Sequence, residues 1–192
     1  MPGFTSVLDA SVLYSSALRD LLLSLAANHL YNPAWSEQIH DEWTRNMIRD
    51  HGGGSAIQSH VARTRQRMDA FFPDASIQGF EPLIPGLALP DPTDRHVLAV
   101  AIHVGAAVIV TYNLRHFLTA ELAKFRVEAW HPDEFVESLL NGEFDTALEA
   151  IRELRARLQR PAKTQSEYID MLANKLQMPR TAQILHMNAS RF

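Results

Sequence analysis

The chain has no cysteine in its 192 residues, which excludes a disulfide framework and any thiolate zinc site. It has no apolar run near the roughly 18 residues that a membrane span requires. A strand-like segment at residues 4–8 begins too early to leave room for a secretory signal. The expected setting is therefore cytoplasmic, with no membrane partner. There is also no surplus of basic charge: 18 Lys and Arg stand against 22 Asp and Glu, for a net charge of -4. That excludes a wide cationic surface that grips nucleic acid indiscriminately. It does not exclude a nuclease, because a site built of carboxylates adds negative charge that a divalent ion offsets locally. Internal repeats and low-complexity segments are missing as well. The run Gly52, Gly53, Gly54 follows a helical pattern rather than a strand and carries no lysine, so it is not a phosphate-binding loop.

What is present is an ordinary globular composition, 46% hydrophobic and 21% charged, in a length that fits one domain with an appendage. Strand and helix patterns alternate, which predicts an α/β fold with a mainly parallel sheet. Strands are expected at 5–8, at 29–32 (stopped by Pro33), at 106–111 and at 126–130, with a short one in 77–84 before a loop. Helices are expected at 12–28, where Leu18, Leu21, Leu22 and Leu25 share a face, and from the N-cap Ser36 to about Asp50. Further helices are expected at 55–72, at 91–104 and from Pro132 to 140. The organisation changes near Asn141 and Gly142. Beyond them only helices are predicted, at 143–158 and 166–176, with Pro161 and Pro179 as punctuation. Residues 141–192 hold eight Lys and Arg against six Asp and Glu, whereas residues 1–140 hold ten against sixteen. We read 1–140 as one domain and 141–192 as an all-helical extension, smaller than a typical independent domain.

In an open parallel sheet, functional groups gather at the carboxyl ends of the strands. Asp9 follows the first strand, in Leu8-Asp9-Ala10-Ser11. Asp91 and Asp94 open a helix, in Pro90-Asp91-Pro92-Thr93-Asp94. Thr111 and Asn113 close the apolar strand, and Glu42 lies inside the helix that Ser36 begins. Carboxylates of this kind suit magnesium or manganese, hard cations that take oxygen ligands together with waters and substrate phosphate. Each residue also has a plainer reading. Asp91 before Pro92 fits an N-cap, and Asp94 fits a capping box or the helix dipole. Asp9 and Asn113 fit turns, and Glu42 can pair with Arg45 three residues on.

Taken together, these runs resemble the PIN-domain family. The opening Val7-Leu8-Asp9-Ala10-Ser11-Val12-Leu13 is similar to the first strand and aspartate of that family. The block from Asp94-Arg95-His96-Val97-Leu98-Ala99 to Val110-Thr111-Tyr112-Asn113 is similar to the second half of its site. The resemblance covers residues 4–140. It implies a three-layer α/β/α core and a metal-dependent endoribonuclease. It makes Asp9 and Asp94 the direct metal ligands, Glu42 a third acidic member, and Asp91 a further carboxylate. Mg²⁺ or Mn²⁺ is the implied cofactor. Thr111-x-Asn113 stands where the family carries threonine-x-aspartate, so Asn113 takes an acidic place without the charge. Ser11 is expected to orient Asp9 or a ligand water. Arg45, Arg49, Arg95, Arg115 and His116 are candidates for meeting RNA phosphates, while His96 and His103 are read as packing or surface histidines.

A further resemblance, to the larger branch of VapC-type toxins, rests on the length and on the tail residues Tyr168-Ile169-Asp170-Met171-Leu172 and Pro179-Arg180-Thr181. It implies the toxin of a type II toxin–antitoxin pair, a homodimer with RNA as substrate and a cognate antitoxin as partner. Asn113 favours an alternative, a PIN-like module that binds RNA or protein without cutting. A haloacid-type phosphotransferase is disfavoured because Ser11 stands where it carries a second aspartate. A receiver domain is disfavoured because it would need an early acidic pair and a late lysine. A DNA-directed nuclease is not separated from an RNA-directed one by any sequence pattern.

Overall fold

The computed structural model describes residues 4–158 and 162–192; Pro161 lies outside the described residues. In chain order the elements are β1 (Thr5–Leu8), α1 (Ala10–Tyr14), α2 (Ser16–Ala27), β2 (Asn32–Ser36), α3 (Glu37–Asp50), α4 (Ser55–Phe71), β3 (Ser76–Ile77), α5 (Arg95–Val104), β4 (Val108–Val110), α6 (Thr119–Leu122), β5 (Glu128–Trp130), α7 (Pro132–Gly142), α8 (Phe144–Arg157), α9 (Gln165–Asp170) and α10 (Pro179–Met187). Short 3-10 turns at Glu81–Gly86, Pro92–Asp94 and Leu114–His116 lie between them. The described residues fall into two compact units, one formed by 4–15 with 32–130 and the other by 16–31 with 131–192. No helix among the described residues is long and apolar enough to cross a membrane.

The first unit carries the sheet. Its five strands run in the order β3-β2-β1-β4-β5, and every neighbouring pair is parallel, so the expected α/β class with a parallel sheet is the observed one. β1 lies at the centre, with Val7 opposite Ala34 on one side and Ile109 on the other. β4 is buried along its whole length, as its uninterrupted Val-Ile-Val run requires of a parallel strand with no solvent face. The strand order also reverses direction of growth at β1, and the crevice outside the carboxyl ends of β1 and β4 is where such sheets place ligands.

Several boundaries differ from expectation, among them the start of α5 at Arg95 where 91 was expected, and three have a plain local reason. The second strand is 32–36, not 29–32: His29 has φ 61 in a left-handed turn, and Pro33 lies inside β2 instead of ending it. Asn32 points its N–H at Phe4 of the neighbouring segment, so the position of the N–H that Pro33 lacks faces the opposite side. There β3 pairs only with Trp35 and Ser36, and no ladder bond is lost. The single helix expected at 12–28 is two, because Ser15 turns extended with ψ 117, a conformation that serine tolerates better than a helical interior. Finally, Pro179 begins α10 at its first turn, where proline's missing donor costs nothing.

α3 is fixed at both ends. The Ser36 hydroxyl accepts the Ile39 N–H at 3.3 Å, Glu37 and Arg49 complement the helix dipole, and Gly52 and Gly53 both take positive φ just beyond its end. Its buried side carries a polar chain. The Trp43 indole donates to His40 Nδ1 at 2.9 Å, and His40 Nε2 lies 3.1 Å from Asp69 on α4, which also accepts the Trp35 indole at 3.0 Å.

The second unit is all helical and includes α2 beside α7 to α10. Leu18, Leu21, Leu22 and Leu25 are fully buried along α2. Tyr31 meets the Phe135 ring edge-on at 4.9 Å and donates its hydroxyl to the Leu22 carbonyl at 3.0 Å. α9 opens with a complete capping box between Thr164 and Glu167. The buried Asp133 carboxylate on α7 accepts the backbone N–H groups of Arg180 at 3.0 Å and Thr181 at 2.8 Å. It thereby satisfies two of the orphan donors at the start of α10. Asp133→Ala leaves those donors buried without partners and is expected to cost about 2 kcal/mol in urea unfolding. Asp133→Asn, which keeps one acceptor oxygen, should lose about half as much; an unchanged midpoint for Asp133→Ala would refute the assignment.

Candidate active site

The carboxyl ends of β1 and β4 are brought side by side by the pairing of Leu8 with Val110, and both strands release their polar residues at that point. Asp9 is only 4% exposed and is tied down on three sides. Its N–H bonds the Val110 carbonyl at 3.1 Å, and its Oδ1 accepts the Ala10 N–H at 2.8 Å as it caps α1. Its Oδ2 accepts the hydroxyls of Ser11 at 2.7 Å and Thr111 at 2.8 Å. Ser11 Oγ in turn accepts the Tyr112 N–H at 3.1 Å, and Thr111 Oγ1 accepts the Asn113 N–H at 2.9 Å. The two hydroxyls therefore couple the direction of the Asp9 carboxylate to the backbone leaving β4. Thr111 is fully buried behind Asp9, and its hydroxyl is taken up by these bonds.

Asp94 ends the 3-10 turn before α5 and makes no capping bond. Its Oδ2 lies 2.7 Å from His116 Nδ1. Since His116 Nε2 receives the Arg115 Nε–H at 3.3 Å, the neutral ring carries its proton on Nδ1 and gives it to Asp94. Asp91 does cap, as its spacing to Pro92 suggests, but with one oxygen: Oδ1 takes both the Thr93 N–H at 2.9 Å and the Thr93 hydroxyl at 2.7 Å. Those two donors hold the Asp91 carboxyl below its ordinary range and leave Oδ2 unused. Among the described residues, Asp91, Asp94 and His116 each offer a ligand atom within 4.8 Å of one another, the only such group of three. Burial pushes the Asp94 carboxyl up; the His116 hydrogen bond opposes this, and the nearby charges of Asp9 and Asp91 add to the rise. Asp9 and Asp91 thus make Asp94 harder to ionise, a repulsion that a divalent cation would relieve.

Glu42 faces a different neighbour. Its Oε1 is 2.8 Å from Nε2 of His96, a ring buried to 1% exposure at the start of α5. The two groups are in ion-pair range without an aligned hydrogen bond, and neither ring nitrogen of His96 has a hydrogen-bond partner. The plainer reading of Glu42, a pair with Arg45, is not what the structure shows; its partner is His96. Of the candidate phosphate-binding arginines, Arg49 pairs with Asp50 at 2.8 Å, and Arg115 lies against His116. Arg95 keeps its Nε buried and unbonded. Arg45 is exposed and makes no ion pair among the described residues. Asn113 precedes the Leu114–His116 turn without a side-chain cap, so its amide stays uncommitted. His116 is the one member of the ligand group that sequence reasoning assigned to phosphate instead. Twenty-two positions separate it from Asp94, a gap that no metal-ligand spacing rule covers.

A family model described as PIN domain matches residues 5–115, and one described as VapC50 C-terminal domain matches residues 132–186. A Mycobacterium tuberculosis protein named "Putative ribonuclease VapC50" is 51% identical over 43 residues, 22% of this chain and 25% of that protein. The match thus spans about a quarter of the relative's length. No solved structure matches the chain.

The raised Asp94 carboxyl sets a testable sign. A carboxyl whose folded pKa lies above its unfolded value of 3.8 favours the folded state when protonated. It costs stability as pH rises through the window from 3.8 upward. In the metal-free protein, Asp94→Asn is therefore expected to raise Tm at pH 7, with the gain shrinking as pH is lowered towards 4. Thermal melts of both proteins across that range check it; a variant less stable at pH 7 than at pH 4, relative to wild type, would reverse the argument.

Proposed function

We propose that this chain, which belongs to the PIN-domain family, is an endoribonuclease that hydrolyses RNA phosphodiester bonds with Mg²⁺ or Mn²⁺. The observation that carries the reading is the convergence of Asp9, Asp91, Asp94 and His116 at the carboxyl ends of β1 and β4. Asp94 and Asp91, through its unused Oδ2, are the first candidates to hold the ion, with Asp9 beside them and Glu42 a further acidic group. A bound divalent ion would supply an activated water and charge for the leaving oxygen. The donor set fits such an ion. Two carboxylate oxygens suit both metals, and the His116 imidazole beside them holds Asp94 by a hydrogen bond. Ser11 and Thr111 keep Asp9 aimed, and Arg45, which makes no ion pair among the described residues, is the cation best able to meet a phosphate.

The C-terminal match to VapC50 and the M. tuberculosis relative support placing the protein as the toxin of a type II toxin–antitoxin pair, silenced by a small antitoxin and acting as a homodimer. A second reading, a PIN-like module that binds RNA or protein without cutting, is favoured by one feature, the neutral amide of Asn113 in an acidic place.

The deciding experiment incubates wild type and Asp94→Asn with a mixed structured RNA, with Mg²⁺, Mn²⁺ or chelator. Metal-dependent cleavage by the wild type, lowered about 10²-fold or more in the variant, is expected; that scale follows from losing one preorganised charge partner. Equal cleavage by both proteins would sink the site assignment. Metal binding without cleavage by either would favour the binding-only module.

A further inference from the structure

One face of α3 is unaccounted for by the carboxylates. Gln38, Glu42, Arg45 and Asn46 stand at i, i+4, i+7 and i+8, so they share a stripe. That stripe forms one wall of an open cleft of about 460 Å³, with Ile84, Thr93 and His96 on the other side. Neither the Gln38 nor the Asn46 amide makes a hydrogen bond among the described residues, and Arg45 has no ion pair there. This is unlike the other polar side chains of α3: Glu37 and Asp41 pair with Arg65, and Arg49 pairs with Asp50. At the floor lies His96, almost wholly buried, with Nε2 in ion-pair contact with Glu42 and Nδ1 without a hydrogen-bond partner among the described residues.

We propose that this cleft is a nucleoside subsite that seats one base of a single-stranded RNA beside the scissile phosphate. The proposal rests on the nuclease reading and adds to it the group that selects where the chain is cut. Its chemistry follows from the side chains. An amide carries a donor and an acceptor side by side, the pattern needed to meet a base edge, and two amides eight residues apart offer two such pairs. Ile84 supplies an apolar contact for the face of the ring. Arg45, at the rim, is placed for the phosphate that joins this nucleotide to the next. The volume lies in the lower part of the range for small-molecule sites, enough for one nucleotide but not for a duplex. Recognition of single-stranded bases by exposed edges and stacking is the usual way that RNA sequence is read.

The test uses the full-length chain with Asp94→Asn and chelator, so that nothing is cut, and follows side-chain amide resonances by NMR. AMP, GMP, CMP and UMP are titrated separately, with inorganic phosphate and the matching deoxynucleotides as controls. At least one monophosphate is expected to shift the Gln38 and Asn46 amide signals. Adding Gln38→Ala and Asn46→Ala should weaken its binding by about tenfold, the effect of losing two amide hydrogen bonds. The backbone spectrum of that variant shows whether the fold is kept. Shifts matched by inorganic phosphate would leave only an anion site and overturn the proposal. Deoxynucleotides binding equally would overturn its RNA part. On wild-type background, the same double variant should change the positions cut in a mixed RNA. If the wild type cuts and the double variant cuts at unchanged positions, the subsite fails while the nuclease reading stands. If nucleotides bind but the wild type never cuts, the nuclease reading fails and the subsite remains.

Discussion

The structure depends on one buried charge. Asp9 is nearly inaccessible, and a carboxylate in that position is tolerable because three donors reach it, two hydroxyls and a backbone N–H, while its own N–H ties it to β4. The two hydroxyls come from distant parts of the chain, Ser11 from the first turn after β1 and Thr111 from the end of β4. They can meet only if β1 and β4 are adjacent, parallel and in the observed register. A shift of one residue would turn Thr111 away from Asp9 and leave the carboxylate buried without one of its three donors. The chemistry at this edge and the topology of the sheet are thus the same requirement stated at two scales.

From that anchor the remaining charges follow by position. The segment before α5 brings Asp91 and Asp94 to the same edge, and the turn after β4 brings His116 to Asp94. A cluster of this kind works against the fold when empty, since burial and two neighbouring charges raise Asp94. Sites that store such repulsion are characteristically less stable than a neutral replacement would make them. Part of that cost is offset where Asp91 is held down by Thr93 and His116 donates to Asp94.

How far the sequence reaches can be judged residue by residue. The α/β class and the position of Asp9 just past β1 were readable from strand periodicity alone, because a short apolar strand followed by a small polar run admits few alternatives. Ser36 as a cap and the glycine stop after α3 were readable for similar local reasons. β2 was not, because Pro33 is acceptable only when the lateral reach of β3 is known, and that is a property of the sheet. The break at Ser15 was hidden because the leucine stripe continues through it. The assignment of α2 to the same unit as the C-terminal helices was equally hidden, since burial partners far apart in sequence leave no periodic mark. At the site, each carboxylate could be placed on an element, but the Glu42–His96 and Asp94–His116 contacts are tertiary and have no spacing signature.

The asparagine at 113 can be weighed against this geometry. Its backbone N–H donates to Thr111 Oγ1 and it opens the Leu114–His116 turn, so a carboxylate there would add repulsion on the segment that brings His116 to Asp94, which Asp9 and Asp91 already raise. An amide removes that repulsion and keeps both hydrogen-bonding capacities. What it cannot do is compensate a second cation. Asp91 meanwhile keeps one carboxylate oxygen outside its bonds to Thr93. The amide at 113 therefore lowers the negative charge of this edge without removing its carboxylates.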